Sequence, residues 1–178
     1  MRVLVCVTGG IAAYKTADLV NELYKKGNTV KVMMTENATK FITPLTLQTL
    51  SKQSVITNTF NEEDPEKINH IYYAQEYDVI VVAPATANII GKIANGIADD
   101  VVSSTVIAAN KPVYIVPSMN TVMYESIPVK ENLKTLANRG FTIIEPDEGL
   151  LACGVVGKGK FPKVERIIEE VMGESQTC

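Results

Sequence analysis

Few residues of this 178-residue chain are chemically equipped to move a proton or hold a reacting group. His70 is the only histidine, and it sits in Ile68-Asn69-His70-Ile71, just ahead of a short helical pattern. A lone imidazole there is either a general base or an ordinary surface or core residue. Three cysteines are present. Cys6 lies inside an apolar run and reads as a small buried hydrophobe. Cys178 is the last residue. Cys153 differs, because it falls in Gly149–Lys160, where Gly149, Gly154, Gly157 and Gly159 surround an apolar patch and two lysines, Lys158 and Lys160. No regular element fits that segment. A long glycine-rich loop in a compact domain is more often a functional lid than filler, and a thiol flanked by small residues can approach a substrate. In Pro117-Ser118-Met119-Asn120, Asn120 supplies a neutral amide that both donates and accepts hydrogen bonds.

These groups need a frame. Short apolar runs at Val3–Val7, Val30–Met34, Val79–Ala83, Val113–Val116 and Phe141–Ile144 are rich in Val and Ile and almost unbroken by polar residues. Strands buried on both faces of a parallel sheet have that composition. Helical patterns alternate with them. The first, Ile11–Lys26, places Ala12, Thr16, Leu19, Val20 and Leu23 on one face and ends at Gly27. Others are expected at Pro44–Ser51, Ala87–Asn95, Asp99–Ala109, Val129–Arg139 and Lys163–Met172. The reading is an α/β fold, a single doubly wound Rossmann- or flavodoxin-like domain over 1–178 with a mainly parallel sheet of five to six strands.

Such sheets bind ligands beyond the carboxyl ends of their strands. Four of those ends carry small or polar clusters. Thr8-Gly9-Gly10 permits close backbone approach ahead of a helix N-terminus that favours an anion, although it is not a full G-x-G-x-x-G and also reads as a plain tight turn. Thr35-Glu36-Asn37 offers a ligand contact or a helix cap. Pro84-Ala85-Thr86-Ala87-Asn88 suits a phosphate or a flat ring against the backbone, and Pro117–Asn120 closes the set. Composition excludes other classes. A 46% hydrophobic, 21% charged chain is neither disordered nor a solvated tail. A formal charge of -3 gives nucleic acid no basic face. No apolar run approaches the ~18 residues of a membrane span. The opening MRVLVCVTGG reads as a strand and turn instead of a signal peptide, and the expected location is the cytoplasm, with free thiols.

Taken together, Asn69-His70, Pro84–Asn88, Pro117-Ser118-Met119-Asn120-Thr121-Val122-Met123 and Leu151-Ala152-Cys153-Gly154 resemble the four hallmark segments of the flavin-containing cysteine decarboxylases. The branch that acts on 4'-phosphopantothenoylcysteine in coenzyme A biosynthesis is the most similar. The resemblance covers nearly the whole chain, and Ile42-Thr43-Pro44-Leu45 and Asn95-Gly96-Ile97-Ala98-Asp99 fit it too. The family often has Trp after the last Met of P-x-M-N-x-x-M, where this chain has Tyr124. Many bacterial relatives carry a fused ligase domain; this chain stops at Cys178, as a stand-alone decarboxylase or an excised domain.

The resemblance implies FMN, cradled by Gly9, Gly10 and Ile11, by Thr35, by Thr86, Ala87, Asn88 and Ile89, and by Ser118. It implies a substrate side of Phe41, Met119, Asn120, Ala152, Cys153 and Gly154, and no metal. Direct loss of CO2 from the substrate would leave a carbanion with no electron sink. The implied solution oxidises the neighbouring CH2–SH carbon to a thioaldehyde, which takes up the electrons as CO2 departs; the resulting enethiol is then reduced. His70 would assist deprotonation of the substrate thiol, Asn120 would hold the carboxylate, and Cys153 would protonate the enethiolate. Lys158 and Lys160 are candidates for the substrate phosphate or plain solvated lysines. Family members form trimers, or trimers gathered into dodecamers, with the flavin near a subunit boundary. The competing readings are a peptidyl-cysteine decarboxylase of lantibiotic maturation, a flavin prenyltransferase, a non-catalytic regulatory relative and a flavodoxin-like electron carrier.

Overall fold

Apolar runs that are hydrophobic on both sides require cover above and below, and the chain builds it. A computed structural model describes residues 1–62 and 64–173; Cys178 lies outside the described residues. β1 (Arg2–Val7) leads through a tight helical turn at Ile11–Lys15 into α1 (Thr16–Lys25) and β2 (Thr29–Met34). A second such turn, Ala38–Lys40, precedes α2 (Pro44–Ser51) and β3 (Val55–Ile56). There follow α3 (Asn69–Glu76), β4 (Val79–Ala85), α4 (Ala87–Ala94), α5 (Val101–Ile107), β5 (Val113–Pro117), α6 (Thr121–Glu125), α7 (Ile127–Asn138) and β6 (Thr142–Ile143). β7 (Asp147–Leu150) and β8 (Val156–Lys160) form a separate antiparallel hairpin ahead of α8 (Val164–Gly173).

The main sheet has six strands in the order β3-β2-β1-β4-β5-β6, and every pairing is parallel. Alternation along each strand divides the core. Val3, Val5 and Val7 of β1 join Val79, Val81 and Ala83 of β4 on one face, packed by Leu19 and Leu23 of α1, Leu47 of α2 and Ile167 and Val171 of α8. Leu4 and Cys6 join Ile80 and Val82 on the other face, packed by Ile89 and Ile93 of α4, Val102 and Val106 of α5 and Leu133 and Leu136 of α7. This is the expected doubly wound α/β arrangement. Cys6 is fully buried, and burial raises its thiol far above the ordinary range, as suits a core hydrophobe.

Two details depart from the sequence reading. The helix expected from Ile11 starts as a tight turn and becomes α-helical only at Thr16. The segment Gly149–Lys160, expected to be irregular, is largely the β7–β8 hairpin, with Gly154 at φ 83° in its tip. The reason lies in close packing. A Cβ at Gly157 would lie 2.6 Å from the Thr121 hydroxyl oxygen, and one at Gly159 would collide with the Met119 carbonyl oxygen. Those glycines let β8 lie directly on the chain that follows β5. No helix among the described residues is long and apolar enough to cross a membrane.

Candidate active site

The strand order reverses between β1 and β4, and a crevice opens at such a switch point beyond the carboxyl ends. Here the two ends are stitched together. The Thr8 hydroxyl donates to the Pro84 carbonyl oxygen at 2.6 Å and accepts from the Thr86 N–H at 3.2 Å. Thr86 in turn caps α4, its side chain accepting from the Ile89 N–H at 3.4 Å. Since the first N–H groups of a helix have no intrahelical acceptor, the remaining donors of that turn are available to a ligand. Gly9 has a steric reason of its own, because a Cβ there would collide with the Asn37 side chain and so push the first turn off the end of β2. Thr35 serves locally as a turn cap, its hydroxyl oxygen accepting from the Ala38 N–H at 3.2 Å.

A cavity of about 680 Å³ lies over these ends, within the range of small-molecule and cofactor sites. All nine residues expected to cradle a flavin line it: Gly9, Gly10, Ile11, Thr35, Thr86, Ala87, Asn88, Ile89 and Ser118. Met119, Asn120, Ala152 and Cys153 of the expected substrate side line it as well. His70, Phe41 and Gly154 are not among its lining residues. His70 is the second residue of α3 and half-buried; its Nδ1 is buried and has no hydrogen-bond partner among the described residues. Phe41 is 47% exposed. One chain therefore assembles the amide and the thiol but not the imidazole.

The amide is firmly oriented. Asn120 Oδ1 accepts from the Val122 N–H at 2.8 Å, capping α6. That leaves Nδ2 free to donate to Cys153 Sγ at 3.3 Å. The Cys153 thiol is held below its ordinary value, first by the Val155 backbone N–H and then by the Asn120 amide. The hairpin carrying Cys153 is seated on the β5 exit: Met119 N–H donates to the Gly159 carbonyl at 3.0 Å and the Ser118 hydroxyl donates to it at 3.3 Å. Neither Lys158 nor Lys160 lines the cavity, and Lys158 is ion-paired with Glu145 at 2.6 Å.

Sequence reasoning missed one group on the cavity wall. Lys92 Nζ lies 2.6 Å from Asp99 and 2.8 Å from Asp100. Burial works against the Lys92 charge, and the two carboxylates outweigh it, holding the ammonium above its ordinary value. Asp100 also caps α5 in a reciprocal box with Ser103. The Asp-x-x-Ser spacing signals the cap; the cavity-facing lysine has no such signal.

A crevice at the switch point, lined by hydroxyl groups and glycine backbone together with Ile, Met and Leu side chains, defines a cofactor-binding α/β protein. The chain belongs to the flavoprotein family, whose model matches residues 1–176. It is 52% identical over 168 residues to the coenzyme A biosynthesis bifunctional protein CoaBC of Bacillus subtilis, covering 94% of this chain and 41% of that one. The chain thus spans about two fifths of the length of such bifunctional relatives. It is 43% identical over 172 residues to a probable phosphopantothenoylcysteine decarboxylase of Streptococcus mutans, covering 96% of each. Among solved structures, a cysteine-to-serine mutant of PPC decarboxylase complexed with pantothenoylaminoethenethiol superposes with TM-score 0.86 at 29% identity, covering 99% of this chain and 98% of that one. The FMN-dependent cysteine decarboxylase SpaF matches with TM-score 0.87 at 27% identity over 99% of this chain and 98% of that one.

Proposed function

We propose that this chain is a phosphopantothenoylcysteine decarboxylase that converts 4'-phosphopantothenoylcysteine to 4'-phosphopantetheine with FMN in the cavity described above. The observation that carries the reading is the pairing of the Asn120 amide with the Cys153 thiol at 3.3 Å on that cavity, under a hairpin that can shield it. The similarity to a curated relative of the same length, named for this activity, supports the substrate class.

The residues present fit the cofactor. The capped start of α4 and the Gly9–Ile11 turn would hold the phosphate, Thr35 and Ser118 would meet polar groups, and Ile11, Ile89 and Met119 would flank the ring. Bound there, FMN supplies the oxidation and re-reduction of the substrate's thiol-bearing carbon. Asn120 holds the substrate carboxylate through Nδ2. A neutral donor is the better choice, since a strong cation would stabilise the charge that must be lost. Cys153 gives its proton to the enethiolate, and a thiol held below its ordinary value does so readily. The hairpin keeps water from the reactive carbon.

His70 and Phe41 enter the site from a second copy of the chain, in a trimer or a dodecamer of trimers. This is supported by their absence from their own chain's cavity lining and by exposed apolar side chains nearby in sequence, Ile68 at 58% and Leu45 at 67%. In that setting His70 assists deprotonation of the substrate thiol. The test is direct. The purified protein should show a flavin spectrum, or take up FMN, and release CO2 and 4'-phosphopantetheine from 4'-phosphopantothenoylcysteine. A protein that takes up no FMN, or that acts only on a peptide ending in cysteine, overturns the assignment.

A further inference from the structure

The lid hairpin has an anchor outside the cavity. Tyr124 ends the Pro117–Tyr124 segment and is 1% exposed. Its hydroxyl donates to Glu145 Oε2 at 2.6 Å. Glu145 lies between β6 and β7, at the root of the outgoing arm. The same oxygen receives Lys158 Nζ at 2.6 Å from the returning arm, β8. Lys158 also stands 5.6 Å over the Tyr124 ring, and Lys130 of α7 covers it at 4.3 Å. Both arms of the hairpin therefore converge on one carboxylate oxygen gripped by a buried phenol. Burial works against the Glu145 charge; Lys158 and then Tyr124 more than offset it, so the carboxylate stays ionised. Burial, with Glu145 beside it, keeps the phenol protonated and so a donor.

The neighbours of Lys158 show what the anchor controls. Gly157 packs on Thr121, and Gly159 packs on Met119 and accepts its N–H. The residue between those two glycines is thus the one held by Glu145. The Met119–Gly159 bond and the Asn120–Cys153 contact are thus made by one hairpin, the first by its returning arm and the second by its tip. We propose that Tyr124, acting through Glu145 and Lys158, is a positioning residue that seats the lid hairpin on the Met119–Thr121 backbone and thereby places the Cys153 thiol against Asn120. Tyr124 does not line the cavity and takes no part in proton transfer. The proposal rests on the reading of Cys153 as the lid's proton donor.

Peptide-resolved hydrogen–deuterium exchange on the full chain tests it without substrate. Tyr124→Phe keeps the ring and removes only the hydroxyl. Exchange in the peptides spanning Met119–Thr121 and Gly157–Lys160 should quicken by about tenfold, the loss expected for a hydrogen bond to a charged partner. Lys158→Met should quicken it by about threefold, since the pair is half-exposed. The double variant should be no faster than Tyr124→Phe alone, because both act through one oxygen, and Lys158→Arg should restore the parent rate. Peptides of β4 and β5 should be unaffected. Unchanged lid exchange in Tyr124→Phe, or equal acceleration in lid and core, overturns the proposal. If Tyr124→Phe does not fold, the exposed Lys158→Met and Lys158→Arg pair decides it alone. With substrate, kcat for 4'-phosphopantetheine should fall in Tyr124→Phe while flavin affinity is retained. A parent protein with a protected lid that releases no CO2 defeats the decarboxylase reading and leaves the anchor standing.

Discussion

Asn120 does two jobs with one amide, and its substitutions separate them. The oxygen caps α6 and the nitrogen faces Cys153. Asp keeps the cap, because Asp and Asn are comparable there, but it sets a carboxylate against the substrate's own carboxylate. Asn120→Asp should therefore fold at least as well as Asn120→Ala and be the poorer enzyme, by about tenfold to a hundredfold; equal turnover would mean that Asn120 does not face that group. Cys153 has its own signature. A serine hydroxyl is far less acidic than a thiol near 8.5, so Cys153→Ser should release CO2 yet yield a product lacking two hydrogens, seen by mass spectrometry. Normal product at normal yield would reduce Cys153 to a packing residue. Its lowered thiol value also has a readout in the apo protein. Thiolate should form below the ordinary ~8.5, so half-maximal alkylation of Cys153 should lie at lower pH than in Asn120→Ala, where the side-chain donor that favours the thiolate is gone.

Among the elements, the strands with continuous Val and Ile were legible because burial on both faces leaves no room for polar alternation. β3 was not legible, because it pairs over two residues and two residues carry no period, whereas β6, equally short, falls inside the expected run Phe141–Ile144. The β7–β8 hairpin was legible as a distinct glycine-rich segment but not as strands, since two of its inward positions are Gly157 and Gly159, which have no side chain to register a pattern. Asn120 and Cys153 stood out by residue type; their meeting, across 33 residues of chain, was not legible. Lys92 escaped notice because a lysine near two aspartates reads as a solvated cluster until the fold turns it onto a cavity wall. The hairpin yields a sharp test. Gly159→Ala would thrust a methyl at the Met119 carbonyl, at a φ of 135° that side chains rarely adopt. β8 should lift, and turnover should fall by at least about tenfold, while flavin binding weakens less, since most of the expected cradle stands at the ends of β1, β2 and β4 and only Ser118 and Met119 adjoin Gly159. Full activity in Gly159→Ala would show that the hairpin works unseated.

For the whole molecule, the distribution of the candidate groups sets the test. If His70 comes from one copy and Cys153 from another, two inactive variants should rescue each other. His70→Asn should bind flavin normally, because the imidazole contributes a proton transfer and is not one of the residues expected to cradle the flavin, and should lose about a hundredfold to ten-thousandfold in turnover. Co-assembled with Cys153→Ser, it should regain normal 4'-phosphopantetheine formation at about a quarter of the sites, the random share of intact pairs in a closed ring. No recovery would place the base and the thiol in the same chain. The strand order has a separate consequence, for synthesis. β1 sits in the middle of the sheet, and its second neighbour is β4, with Val3 opposite Val79. At ribosomal rates of about 5–20 residues per second, some 4–15 s pass between the emergence of these partners. Throughout that interval Val3–Val7 presents an open edge, apolar on both faces, and such edges template intermolecular pairing. The nascent chain is therefore most vulnerable to association before residue 85 appears, and a chaperone that shields the first strand would do more for yield than one that acts on the finished domain.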